Sequence, residues 1–317
     1  MDVFIDISLP VFGIMLAGFL AGRFGLIGSH GAGSLNGYVY YAALPALFFK
    51  ATATAPLSSL WQVDYILAMT AGYAATGIIG VIIARLFFAK NLGELALNVG
   101  NGLFSNTGYM GIPLILIAFG QDAMPLAISG VLINAIGFFA IITGFLEYHK
   151  LRQSHHAASF GIFIKLSKAL AKNPLLLSAA IGICFSFFEI KLPVGAFRFF
   201  DLMSQSAGPC ALFAMGLFIA FQKFEGNRKE IITVSMIKLT LHPLLTWYLA
   251  RSIFNLSPLE EAVAVTLAAL PTGALMFLLS DMYKIYQQRS AAIIVLSTLM
   301  AVISVSWVLN HYAPIMP

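Results

Sequence analysis

Two stretches of this chain carry side chains of a kind that rarely sits inside long apolar runs. Residues 98–113 read Asn98-Val99-Gly100-Asn101-Gly102-Leu103-Phe104-Ser105-Asn106-Thr107-Gly108-Tyr109-Met110-Gly111-Ile112-Pro113, and residues 270–274 read Leu270-Pro271-Thr272-Gly273-Ala274. Amides and hydroxyls in such a setting suit one kind of chemistry, hydrogen bonding to a small polar guest. Glycine weakens a helix and proline removes a backbone donor, so both stretches predict interrupted helices. Where a helix restarts, its first N–H groups are free and its dipole end is positive, which suits a carboxylate. The candidate binding residues are therefore Asn106, Thr107, Gly108, Gly111 and Pro113 from the first stretch, and Pro271, Thr272 and Gly273 from the second. Pro113 and Pro271 are placed at or near the first turn of the outgoing half-helices, where proline is tolerated. The competing reading is that glycine and asparagine here only allow helices to pack closely.

Lys238 is the second unusual residue, with His242 one turn on and Pro243 after it. A lysine at this depth costs about 2.5–3.5 kcal/mol on insertion scales, so it should face protein or a cavity. Two roles are open to it: bonding unwound carbonyls as a structural tether, or lending charge to an anionic substrate. His242 is read either as a satisfied helix histidine or as a proton carrier. Both are supporting charges for the candidate site. No acidic residue falls at mid-span; Glu94, Glu260, Glu261 and Asp281 sit near span ends, so a carboxylate ion relay is not expected. His30, His149, His155, His156, His242 and His311 show no metal-ligand spacing, and Cys184 and Cys210 lie in apolar runs. No enzyme, metal ion or cofactor is expected.

The elements that hold these residues follow from composition. The chain is 60% hydrophobic and 10% charged, against roughly 45–50% and about 25% in a soluble domain, so lipid must be part of its solvent. The net charge of +5 does not point to nucleic acid, because the basic residues cluster between apolar runs. Helical spans are predicted at 3–22, 35–55, 61–88, 94–120, 123–147, 173–190, 195–221, 230–254, 259–283 and 288–310. Arg23, Arg85, Lys90, the 149–172 linker, Lys223, Arg228, Lys229, Lys284 and Arg289 lie on one set of ends, whereas the other carries only Lys50, Lys191, Arg198 and Arg251. That bias predicts a multi-pass protein of the plasma or inner membrane with both termini outside the cytoplasm.

The halves echo each other. Pro10 answers to Pro174, Pro45 to Pro209, Asn91-Leu92 to Asn255-Leu256, Ala84-Arg85 to Ala250-Arg251, and Pro113 to Pro271. The expected fold is all-α and integral to the membrane, about ten spans as two inverted five-helix repeats, with broken helices 4 and 9 crossing. The first repeat covers 1–148, a cytoplasmic linker 149–172, and the second repeat 173–317.

Ser105-Asn106-Thr107-Gly108-Tyr109-Met110-Gly111-Ile112-Pro113-Leu114 closely resembles the Asn-Thr…Met-Gly-Ile-Pro-Leu motif of the auxin efflux carrier family, which includes the plant PIN-formed proteins. Ala268-Ala269-Leu270-Pro271-Thr272-Gly273 resembles the second crossover of that family, and Leu44-Pro45 its kinked second span. The resemblance implies a scaffold of spans 1, 2, 6 and 7, dimeric, and a moving transport domain of spans 3–5 and 8–10. It also implies a secondary transporter of a small organic anion, auxin-like or dicarboxylic, working by alternating access. The long hydrophilic loop of the plant carriers is missing here. Outward movement of one negative charge gains about 2.3 kcal/mol per 100 mV, so efflux needs no coupling ion, whereas uptake does. The alternatives are a sodium- or proton-coupled symporter of bile-acid-symporter-like fold, and a channel.

Overall fold

Helix starts in this chain are written by short polar residues. Asn91 accepts a hydrogen bond from the Glu94 amide at 2.9 Å, Asn173 from that of Leu175 at 2.9 Å, and Asn227 from that of Lys229 at 3.1 Å. Ser257 and Glu260 form a reciprocal capping box, each side chain taking the other's amide. In the computed structural model, which describes residues 4–56, 61–153, 172–222 and 224–316, these caps open four of fifteen α-helices. In order they are α1 Leu9–Arg23, α2 Ser29–Tyr38, α3 Leu44–Thr54, α4 Val63–Phe87, α5 Leu92–Leu103, α6 Ile112–Phe119, α7 Met124–Leu132, α8 Phe139–Gln153, α9 Pro174–Phe187, α10 Val194–Ala220, α11 Arg228–Met236, α12 His242–Tyr248, α13 Pro258–Ala269, α14 Leu275–Tyr283 and α15 Gln287–Tyr312. Short π-helical turns, among them Val39–Ala43, Ile133–Phe138 and Ile237–Leu241, join α2 to α3, α7 to α8 and α11 to α12 without a break.

The described residues contain no strand, only one isolated bridge. Five helical runs are long and apolar enough to cross a membrane: Ile5–Arg23, Val63–Phe87, Gln121–Lys150, Val194–Ala220 and Gln287–Ile315. The chain is thus an integral membrane protein. Helix ends fall within a few residues of the spans marked from hydropathy, except that the second run starts at Ser29 and the fifth continues to Gln153. Its first ten residues hold Ser29, His30, Ser34 and Asn36, which conceal a helix from a hydropathy window. The linker expected at 149–172 lies largely outside the described residues.

The repeat echo is uneven in three dimensions. Asn91 caps α5, but Asn255 is a left-handed turn residue at φ 49°, and the capping role in the second half passes to Ser257. Pro113 lies in the first turn of α6, whereas Pro271 precedes α14 in an extended segment, not in its first turn. The reason is local: α6 is led in by a π-helical turn at Thr107–Gly111, and α14 starts directly.

Helices α1, α3, α9 and α10 pack on one another through missing side chains. A Cβ on Gly18 would strike the Phe213 carbonyl, one on Gly216 the Met15 carbonyl, and one on Gly182 the Thr52 hydroxyl. Such close crossings replace the hydrophobic drive that lipid removes. Helix α2 lies on α10, and the other helices pack about the two interruptions, α5 to α6 and α13 to α14, with Pro113 reaching across to Gly208 of α10.

Candidate functional site

Helix α5 ends at Leu103 and the chain runs extended through Phe104; α13 ends at Ala269 and Leu270 is extended in the same way. Backbone groups freed at this depth have no bulk water, so protein must take them. Here each break satisfies the other. Ser105 and Thr272 form an antiparallel bridge, the Asn106 amide donates to the Pro271 carbonyl at 2.9 Å, and the Gly273 amide donates to the Phe104 carbonyl at 2.9 Å. The Thr272 amide donates to the Ser297 hydroxyl at 3.2 Å, and the Thr272 hydroxyl to the Asn101 carbonyl at 2.7 Å. Gly273 must lack a side chain, because its Cβ would sit 2.9 Å from the Phe104 ring and 3.2 Å from the Ser105 carbonyl.

These bonds redistribute the roles read from sequence. The amides of Asn106, Thr107, Thr272 and Gly273 are taken by protein, Thr107 by the Ser105 carbonyl at 2.8 Å. The amides without an acceptor among the described residues belong to Gly108 and Tyr109 after the first break and to Ala274 and Leu275 after the second. All four residues are half-buried, while Asn106, Thr107, Gly111, Pro113, Pro271, Thr272 and Gly273 are buried. A Cβ on Gly108 would meet nothing within 4 Å, so open space lies at that point. Of the eight candidates, Asn106, Pro271, Thr272 and Gly273 knit the two breaks together, Gly108 borders open space, and Pro113 packs against Gly208 of α10.

Sequence reading missed Asn134. From the π-helical turn after α7 its amide donates to the Ser105 carbonyl at 2.8 Å and to the Thr107 hydroxyl at 3.1 Å. The signal was present, since an asparagine in an apolar span asks for a partner. Several buried polar atoms here have no partner among the described residues: Asn106 Nδ2, Asn134 Oδ1, Ser105 Oγ, Asn101 Oδ1 and the Tyr73 hydroxyl. Leaving one such group unmet costs about 1–3 kcal/mol, so this cluster calls for hydrogen-bond partners that the described residues do not supply.

Lys238 is fully buried, donating to the Ala268 carbonyl at 2.6 Å and standing 3.1 Å from His242 Nδ1. Ala268 is in the last turn of α13, where carbonyls lack helical partners. Two acidic residues near helix ends, Glu230 and Glu261, are buried. Glu230 accepts from Asn98 at 2.7 Å, Tyr286 at 2.6 Å and Arg289 at 3.1 Å, and Arg289 also holds Glu94 at 3.1 Å. Glu261 accepts from Tyr312 at 3.0 Å. Among the described residues no group of three His, Cys, Asp or Glu gathers as metal ligands would.

Interrupted helices that cross inside a membrane, with free amides at the crossing, are the anatomy of a membrane transport protein. The family model described as "Membrane transport protein" matches residues 3–309, and the chain belongs to this family, that of the auxin efflux carriers. A Rhizobium meliloti protein called "Putative malonate transporter" is 33% identical over 305 residues, covering 95% of this chain and 93% of that one. An uncharacterised transporter of Methanocaldococcus jannaschii is 22% identical over 96% of this chain and 98% of its own. The mouse "Lysosomal cholesterol signaling protein" is 28% identical over 278 residues, which is 80% of this chain and 30% of that protein.

Proposed function

We propose that the chain is a secondary carrier of a small organic anion, with a dicarboxylate such as malonate as the leading substrate class, bound at the crossing of the two broken helices. The observation that carries this is the paired set of free amides, Gly108 with Tyr109 and Ala274 with Leu275, beside the unmet Asn106 Nδ2. Each set sits at the positive end of a half-helix, so each suits one carboxylate. Asn106 and Thr107 fix orientation, and Gly108 lets the guest approach the backbone. Gly111, Pro113, Pro271, Thr272 and Gly273 hold the crossing, and Lys238 holds it from behind. The name of the Rhizobium relative agrees with this choice of substrate.

In this reading the chain spans the plasma or inner membrane about ten times as two inverted repeats, 1–148 and 173–317, with both termini outside. Spans 1, 2, 6 and 7 serve as the scaffold, whose tight internal packing the glycine crossings of α1 on α10 and α9 on α3 support, and two scaffolds pair in a dimer. Spans 3–5 and 8–10 move against it, carrying the site from one face to the other.

Purified protein in liposomes tests this by counterflow, in which external labelled malonate exchanges for internal unlabelled malonate. Saturable exchange is expected, with indole acids as the comparison substrate, and Asn106→Ala is expected to reduce it at least tenfold. Normal exchange by Asn106→Ala would remove the site assignment. Unitary conductance in place of saturable exchange would make the protein a channel.

A further inference from the structure

The crossing contains no carboxylate, yet behind it lie two basic groups in contact. Lys238 and His242 are 0% and 1% exposed, and Lys238 Nζ is 3.1 Å from His242 Nδ1. A hydrogen bond at that contact needs a lone pair on one of the two nitrogens. In this geometry the pair therefore cannot hold both of its protons. His242 Nε2 has no partner among the described residues. The Lys238 ammonium is offset by the Ala268 carbonyl, at the negative end of α13.

The surroundings offer no counter-charge. From α4 the facing titratable group is Tyr73, whose ring lies 4.6 Å from that of His242 and 4.2 Å from that of Phe138. The ionisable groups of α13 are Glu260 and Glu261 at its far end, Glu261 being bonded to Tyr312. Those of α15 are Arg289 and His311 at its two ends, and α5 has only Glu94, bonded to Arg289. The turn at Ile133–Phe138 brings Asn134 and Phe138, which do not ionise. Neither Lys238 nor His242 has an ion pair with a carboxylate among the described residues.

Both ends of the pair lead to the crossing. Lys238 holds the carbonyl three residues before Pro271. Tyr73, whose ring lies against His242, belongs to α4, the helix packed on α5 next to the crossing. A second positive charge at this place is unfavourable on its own and favourable beside a bound anion. Linkage then works in both directions: the anion raises proton affinity, and the proton raises anion affinity by the same factor.

We propose that Lys238 and His242 are the proton-binding site of a proton-coupled carrier, His242 Nδ1 taking one proton from the aqueous side whenever an organic anion occupies the crossing. The proton replaces the contact with Lys238 Nζ, which stays on the Ala268 carbonyl. On the opposite face the anion leaves and the proton returns to water, so one proton crosses with each anion. This rests on the organic-anion reading above, and the test separates the two.

Proteoliposomes are clamped at zero voltage with potassium and valinomycin, in sodium-free medium, and given labelled malonate with and without an inward proton gradient. One proton per anion predicts about tenfold accumulation for each pH unit of gradient. Counterflow at equal pH reads anion carriage alone. Counterflow with no response to the gradient, or accumulation driven by sodium instead, overturns the proton site and leaves the carrier reading standing. Absence of counterflow overturns both. Any exchange remaining in His242→Gln is expected to ignore the gradient. Should that variant be inert, histidine ring 13C spectra of the wild type in nanodiscs decide, the His242 signal being assigned by its loss in His242→Gln. Malonate is expected to convert that signal from neutral to protonated at a pH where the malonate-free protein shows it neutral. A His242 signal that stays neutral in both samples refutes the proposal.

Discussion

The crossing can be attacked without touching any side chain, by Gly273→Ala. The new methyl would stand 2.9 and 3.0 Å from two carbons of the Phe104 ring and 3.2 Å from the Ser105 carbonyl. The ring is buried and the carbonyl is backbone, so neither yields without moving the bridge. Overpacking of this kind costs about 1–3 kcal/mol, and stretching the Gly273 amide from the Phe104 carbonyl forfeits about 1 kcal/mol more. The expected loss is roughly 2–4 kcal/mol of stability. Gly108→Ala is the control. Its methyl meets nothing within 4 Å, and alanine favours a helical turn, so stability should stay within about 0.5 kcal/mol. The same methyl projects into the opening, so malonate exchange should fall. Both variants are compared by denaturant titration in mixed micelles, followed through Trp61, Trp247 and Trp307, and by counterflow. The reasoning fails if Gly273→Ala matches the wild type in stability, or if Gly108→Ala is the more damaged of the two.

Two further outcomes concern the Glu230 cluster. Arg289→Ala leaves buried Glu230 without its cation and should cost about 3 kcal/mol in the same titration; it is the low end of the range for breaking a buried pair, because Arg289 is 28% exposed. Arg289→Lys should recover only part, since a single ammonium cannot serve Glu230 and Glu94 as the guanidinium fork does. Burial, and then the charge of Glu230, hold the Tyr286 hydroxyl well above its ordinary value. Its contribution is therefore complete below about pH 10, the value of the unfolded chain, and is lost as pH rises further. Tyr286→Phe should flatten that alkaline limb of stability; an unchanged limb would show that another group controls it.

Much of this protein was legible in its residues. Apolar runs of membrane length and the glycine, asparagine and proline clusters at 98–113 and 270–274 depend only on neighbours along the chain. Lipid cannot hydrogen-bond a backbone, so those clusters marked broken helices before any coordinates. Lys238 could be flagged in the same way, because its burial cost follows from position in a span.

Tertiary structure decided what sequence spacing does not encode: which group meets which. That the Asn106 and Gly273 amides are taken across the crossing, leaving Gly108, Tyr109, Ala274 and Leu275 free, depends on pairing between segments over 160 residues apart, such as Gly273 with Phe104. Asn134 reached the site, and Glu230 and Glu261 were buried with partners, for the same reason. Hydropathy reports how a residue prefers to be solvated, but a hydrogen bond made across the fold changes that solvent, and only the folded chain says where such bonds form.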